Sequence, residues 1–295
     1  MEHDHEINEK IKRNNYKVFA WLSNYLNNAP DFIGKEEIDE IVGAGVSSEY
    51  AFAVILAAAF GLDIVDNPID KALFHNYFNK MFHKLEASEY ANTPYYQNIK
   101  IPRIQIGNSE LKYEKYKPFE GFVSNDIIRT MEGRQIPQVG FFETEFQFPA
   151  VLENGRIWMT ITPNEIETMK EPIEQAFGKV LTFGLGLGYY AYMVSEKDNV
   201  DSVTIVDSNE NVIRLFKRHI LPQFKNAHKI NIINADAFEF AQTRMAEGHF
   251  DFAFMDLWHD VSDGLDMYLK LKEYEKLSPE TVFTYWIEKS ILCYL

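Results

Sequence analysis

The sequence predicts an α/β protein: a doubly wound, mostly parallel sheet in the C-terminal part, preceded by a β-rich segment and a helical N-terminal region. Three observations predict it. The apolar run Val180–Phe183 breaks into Gly184, Gly186 and Gly188 and then continues as Tyr189 and Tyr190. A second apolar run, Val203–Val206, ends in a carboxylate, Asp207. Apolar stretches near 179–184, 202–206, 230–233, 251–256 and 281–285 alternate with helical ones such as Asn209–His219. Buried strands separated by helices are the mark of a parallel sheet covered on both faces.

The N-terminal residues 1–91 read as a helical region. Tyr16, Phe19, Ala20, Leu22 and Leu26 recur at helical spacing. Ser47 opens the apolar run Ala51–Phe60, which Gly61 closes. Lys71–Leu85 reads as a further helix. It carries His75 and His83, whose spacing is not that of a helical metal pair, so both are read as ordinary helix residues.

Residues 92–175 read as a β-rich segment with a hairpin and a linking helix. Prolines and glycines punctuate the short runs Ile99–Ile106, Leu111–Tyr116, Gly140–Phe148 and Arg156–Ile161. Asn154-Gly155 is a hairpin turn signal, because both residues tolerate positive φ. Thr162-Pro-Asn-Glu165 is a helix start: Thr162 as cap, Pro163 at the first position, Glu165 completing a capping box. Ile166, Met169 and Ile173 supply the apolar face, Pro172 is expected to kink or restart the helix, and Gly178 ends it. Residues 176–295 form the sheet domain.

Composition narrows the classes. The chain has 295 residues, 46% of them hydrophobic, with 23 Phe and 16 Tyr, which argues for a packed core rather than disorder. The net charge of −15 comes without a long basic run, so nucleic acid is a disfavoured partner. Cys293 is the one cysteine and forms no intrachain disulfide. The opening residues are acidic rather than basic and apolar, and the run Tyr50–Leu62 is too short to span a bilayer, so a soluble, cytoplasmic protein is expected.

The glycine turn carries the chemistry. A strand, a tight glycine turn, a helix and a second strand tipped by an acid form half of a nucleotide-binding crevice. A dinucleotide fold places its third glycine where Tyr189 stands, whereas this chain has it at Gly188. Two further acids fall at expected strand ends, Asp236 in Asn234-Ala-Asp-Ala-Phe238 and Asp256 after Phe250–Met255. The alternative for each acid taken singly is a loop or helix-cap carboxylate. Gly-x-Gly-x-Gly with acids at successive strand ends resembles the class I S-adenosylmethionine-dependent methyltransferases, whose nucleotide domain is Rossmann-like. The resemblance implies S-adenosylmethionine as cofactor. Gly184, Gly186 and Gly188 would admit its methionine portion, Asp207 would hold the ribose, and Asp236 with the Ala237 N–H would meet the adenine.

That family often carries an acid just before the glycines, where this chain has Thr182 and Phe183. Spermidine synthases share the lack, and the likeness to them extends upstream. Val151–Thr160 is similar to the hairpin before their nucleotide domain, Asn164–Met169 to the helix after it, and Asp256 stands in the place of their catalytic aspartate. Two departures go with it. Glu167-Thr168 stands where they carry a tyrosine–histidine pair for the polyamine, and Asp256-Leu-Trp-His-Asp260 replaces their Asp-Ser-Ser-Asp loop. A third departure concerns the end of the sheet. Only Trp286–Leu295 follow the fifth strand, room for a short helix rather than for the antiparallel hairpin such methyltransferases add. The N-terminal region, or a second subunit of a homo-oligomer, is expected to cover that strand edge.

Trp258, His259 and Asp260 are expected to line the loop after the fourth strand, where substrates and catalytic groups gather. Trp258 is read as a substrate wall or as plain packing, His259 as a reserve base or as polar surface, and Asp260 as a substrate contact. A metal site on His3, Asp4 and His5 is disfavoured at a terminus, and no metal is expected. The leading expectation is a methyltransferase acting on a small-molecule or protein acceptor, with Asp256 orienting or deprotonating the nucleophile. The alternatives are a spermidine-synthase-like aminopropyltransferase and a non-catalytic adenosyl-binding or interaction module.

Overall fold

The computed structural model describes residues 2–295, with side chains from His5 onward. His3 and Asp4, two of the three residues weighed as metal ligands, therefore lie outside the described side chains. In chain order the elements are α1 (Glu2–Asn28), α2 (Lys35–Val42), α3 (Ser48–Ala59), α4 (Pro68–Asn76), β1 (Phe82–Lys84), α5 (Ala87–Ala91) and α6 (Pro94–Asn98). Six strands follow: β2 (Ile104–Ile106), β3 (Ser109–Tyr116), β4 (Phe122–Arg129), β5 (Gln135–Phe141), β6 (Phe146–Glu153) and β7 (Arg156–Thr160). The C-terminal half is α7 (Pro163–Gln175), β8 (Gly178–Phe183), α8 (Tyr189–Ser195), β9 (Val200–Asp207), α9 (Glu210–Leu215), β10 (Ile230–Asn234), α10 (Ala237–Thr243), β11 (Phe252–Met255), α11 (Val261–Tyr274), β12 (Val282–Tyr285) and α12 (Glu288–Ile291).

The chain divides into two compact units, each made of two stretches: 1–87 with 115–147, and 88–114 with 148–295. The linear segments read from the sequence do not map one to one onto them, because the division falls inside β3 and β6.

The first unit packs α1–α4 around a small sheet of order β1-β5-β4. Its core holds Val18, Leu22, Phe52, Leu56, Phe74, Phe78 and Phe141, with Phe52 and Phe141 stacked at 4.5 Å. Ser47 caps α3 as expected, its hydroxyl accepting from the Tyr50 N–H at 3.2 Å. The helix expected over Lys71–Leu85 is corrected: α4 stops at Asn76 and residues 82–84 form β1, paired in parallel with Val139–Phe141. Met81–Lys84 satisfies either period, and pairing with β5 decides for the strand. His83 accordingly leaves the helix and meets Gln138 at 2.7 Å.

The second unit contains the five-stranded sheet β10-β9-β8-β11-β12, with every neighbouring pair parallel. This is a doubly wound order: the chain runs outward from β8 to β10, then returns to β11 on the other side. The point of reversal, between β8 and β11, is where such sheets open a ligand crevice at their carboxyl ends. Val180, Leu181, Phe183, Val203, Ile205, Val206 and Phe252–Met255 are all buried, as strands covered on both faces require. Pro172 does not interrupt α7, which runs on to Gln175. Asn154 and Gly155 both take positive φ, 51° and 76°, and close the β6–β7 hairpin as expected. After β12 come α12 and a short 3₁₀ turn, Leu292–Tyr294. Among the described residues no helix is long and apolar enough to cross a membrane.

Candidate active site

The carboxyl ends of β8, β9, β10 and β11 converge on a cavity of about 460 Å³ in the second unit. The loop after β8 forms its floor. Gly184, Gly186 and Gly188 take φ of 88°, 52° and 74°, a hand of backbone that suits glycine. Space dictates the first and third as well. A Cβ on Gly184 would overlap the Asp256 carbonyl oxygen, and one on Gly188 would overlap the Phe216 ring. The loop is held from two sides: the Tyr95 hydroxyl donates to the Leu187 carbonyl at 2.6 Å, and the Leu185 N–H donates to Asp207 at 2.9 Å.

Asp207 ends β9 and lines the cavity. Its other oxygen accepts from the Asn209 N–H at 2.7 Å. Burial raises its pKa, and the two backbone donors oppose the rise. Asp236 and Ala237 line the same cavity after β10. Asp236 caps α10, accepting from the Glu239 N–H at 2.9 Å, so the cap reading is realised while the residue still faces the cavity.

Asp256 follows β11, with its N–H donating to the Phe183 carbonyl at 3.1 Å. Its partner across the cavity is Glu165, in the first turn of α7. The sequence pattern reads Glu165 as half of a capping box; the structure corrects this, for the Thr162 side chain makes no cap hydrogen bond and Glu165 faces the cavity instead. No protein donor reaches either carboxyl group among the described residues, and the two are close enough to repel. Burial pushes Asp256 up to about 7. Burial and then the charge of Asp256 push Glu165 well above the ordinary glutamate value. Burial and mutual repulsion thus raise both carboxyl groups above their ordinary values, and the two titrate as a pair.

The loop after β11 separates its three candidates. Trp258 is 4% exposed; its Nε1–H donates to the Trp286 carbonyl at 3.2 Å and its ring lies against Gly264, so it is chiefly a packing residue at the cavity edge. His259 lines the cavity, with Nδ1 at 3.1 Å from Asp263 and its ring edge-to-face with Trp158 at 4.1 Å. Asp260 caps α11 in a reciprocal box with Asp263 and does not line the cavity. Thr168 and Glu167 are likewise engaged elsewhere. The Thr168 hydroxyl donates to the Asn164 carbonyl at 2.6 Å and accepts from Trp286 Nε1 at 2.8 Å, while Glu167 pairs with Lys170 at 2.6 Å and with the Tyr90 hydroxyl.

The lining thus carries Glu165, Asp207, Asp236 and Asp256, one histidine, and neither lysine nor arginine. Such a wall suits a cation.

No protein-family model matches the chain, and no curated protein matches it. Solved structures similar to it include spermidine synthase from Thermotoga maritima, at 17% identity over 48% of this chain and 53% of that one, with a TM-score of 0.33. Another is a spermidine synthase in complex with the transition state analogue AdoDATO, at 17% identity over 48% of this chain and 52% of that one, with a TM-score of 0.32. The matched region spans about half the length of these proteins. The doubly wound assignment stands on the strand order and on the glycine turn at its reversal point.

Proposed function

We propose that the cavity binds an adenosyl sulfonium donor and that the protein is an aminopropyltransferase, moving the aminopropyl group of decarboxylated S-adenosylmethionine to an amine. One observation carries this reading: four carboxylates line the cavity and no lysine or arginine does. The sulfonium, the donor ammonium and a protonated acceptor are all cations and suit that wall. The carboxylate of S-adenosylmethionine itself would find no cationic side chain there, which ranks methyl transfer second. The donor fits the remaining groups. The positive-φ glycines leave room for its backbone-hugging chain, Asp207 faces the ribose hydroxyls, and Asp236 with Ala237 faces the adenine edge.

In the transfer, the acceptor nitrogen attacks the aminopropyl carbon bound to sulfur. The C–N bond forms as the C–S bond breaks, and the electron pair stays on sulfur, giving methylthioadenosine. Asp256 takes the proton that the amine must lose, and its raised pKa matches that task near neutral pH. Glu165, across the cavity on α7, is its electrostatic partner, and the charge of each raises the other's hold on a proton. His259, tied through Nδ1 to Asp263, stands at the cavity wall. Most of the rate comes from holding nitrogen, carbon and sulfur in line.

The test is calorimetric binding of two pairs: S-adenosylmethionine with its demethylated product, and decarboxylated S-adenosylmethionine with methylthioadenosine. Preference for the second pair is expected. Preference for the first would establish methyl transfer in its place. Binding of neither, by folded protein freed of co-purified ligand, would leave a non-catalytic module.

A further inference from the structure

The cavity supplies its carboxyl groups unevenly, and the unevenness bears on the acceptor. Asp207 already receives a backbone N–H on each oxygen, and one oxygen of Asp236 caps α10. Glu165 and Asp256 are the two cavity carboxyls that no protein donor reaches. Under the aminopropyl reading, on which this inference rests, two cations need them: the ammonium of the donor and the reacting nitrogen of the acceptor. For a second acceptor ammonium the lining leaves only Asp207 and Asp236, both already accepting from backbone N–H groups. Glu167 of α7 is held by Lys170 and Tyr90 and lies outside the lining.

The wall beyond Asp256 has a different character. Ile157 and Trp158, from β7, are 54% and 40% exposed, although both are large and apolar. Trp158 meets His259 edge-to-face, three residues past Asp256, and Met267 of α11 lines the same cavity. An indole and aliphatic side chains offer contact area to an apolar body and nothing to a charge.

We propose that the acceptor is a primary monoamine on an arylalkyl body, its nitrogen at Asp256 and its aromatic part against Trp158, Ile157 and Met267, rather than a linear diamine. A diamine would place its distal ammonium against this apolar wall, unpaired and partly desolvated.

The experiment uses the full chain with decarboxylated S-adenosylmethionine and either phenethylamine or putrescine. Mass spectrometry follows methylthioadenosine and the aminopropylated amine. The expected kcat/KM for phenethylamine exceeds that for putrescine by about a hundredfold, the range in which a single mismatched polar group is rejected. Trp158→Ala is expected to raise KM for phenethylamine about tenfold, while the Kd of methylthioadenosine moves by less than about twofold. Donor binding is measured alongside by calorimetry. If the donor binds and putrescine is preferred, or both amines react equally, or neither reacts, the acceptor inference is wrong and the donor reading survives. If the donor does not bind, both fall together.

Discussion

Asp256→Asn is expected to stabilise the protein at alkaline pH and to abolish turnover. Asp256 ionises only near pH 7 in the folded state, against an ordinary aspartate value near 3.8. The folded state therefore keeps a proton that the unfolded chain has lost. Below about pH 4 both states are protonated and the group is neutral toward stability. Between about pH 4 and pH 7 stability falls as pH rises, because the unfolded state ionises more readily; above about pH 7 the loss is complete. The interval is about three pH units at about 1.4 kcal/mol each, a ceiling near 4 kcal/mol. Water in the open cavity and the coupled titration with Glu165 reduce this to about 2 kcal/mol. Asparagine has the shape of the neutral acid and no charge to strand. Paired thermal melts of wild type and Asp256→Asn should then coincide near pH 4 and separate by about 5 °C at pH 8, with the variant higher. A variant less stable than wild type by the same margin at both pH values would refute the reasoning, since it would mean that the carboxylate is well solvated or bonded in the fold.

Three further outcomes follow from the same geometry. Gly184→Ala places a side chain both at φ 88° and in overlap with the Asp256 carbonyl, and should cost more than about 3 kcal/mol in urea unfolding; Gly155→Ala, at φ 76° in open space, should cost about 1 kcal/mol. Thr168→Val strands the buried Trp286 N–H and should cost about 2 kcal/mol, read as a lower urea midpoint at unchanged m. Binding of decarboxylated S-adenosylmethionine near pH 6.5 should release about half a proton, because a cation lowers the pKa of the Glu165–Asp256 pair. Calorimetry in two buffers of different ionisation enthalpy measures it, and proton uptake would contradict the paired titration.

The parts of the candidate site that are legible in the sequence are those written locally. Gly184, Gly186 and Gly188 sit within one turn, and Asp207, Asp236 and Asp256 each follow an apolar strand, so strand ends and crevice could be read together. Glu165 was not legible as a site residue. Thr162-Pro-Asn-Glu165 is equally the pattern of a capping box, and only the approach of α7 to the end of β11 shows that the side chain faces Asp256. Asp260 is ambiguous in the same way: a polar residue three positions before Asp263 suits a cap as well as a substrate contact, and the structure forms the cap. Trp158 carries no chemical motif, and its place at the wall follows from the hairpin folding beside the loop after β11. The break after Asn76 was hidden because Met81–Lys84 has no glycine or proline to announce a strand.

The strand order also sets a timetable for assembly. β8 lies at the centre of the sheet, yet its two neighbours arrive very differently. β9 follows after one short helix, whereas Val180 pairs on its other side with Phe252, far along the chain. Until that partner is made, one edge of β8 displays unpaired amides beside Val180, Leu181 and Phe183, the kind of edge that recruits foreign strands. Parallel pairing at such separation is slow, since loop closure must precede the contacts that reward it. The vulnerable species of this protein is therefore a half-sheet of β8, β9 and β10 that lacks β11. Pulse-labelled hydrogen exchange during refolding should protect Val203–Val206 before Phe252–Met255; simultaneous protection would show that the sheet closes in one step.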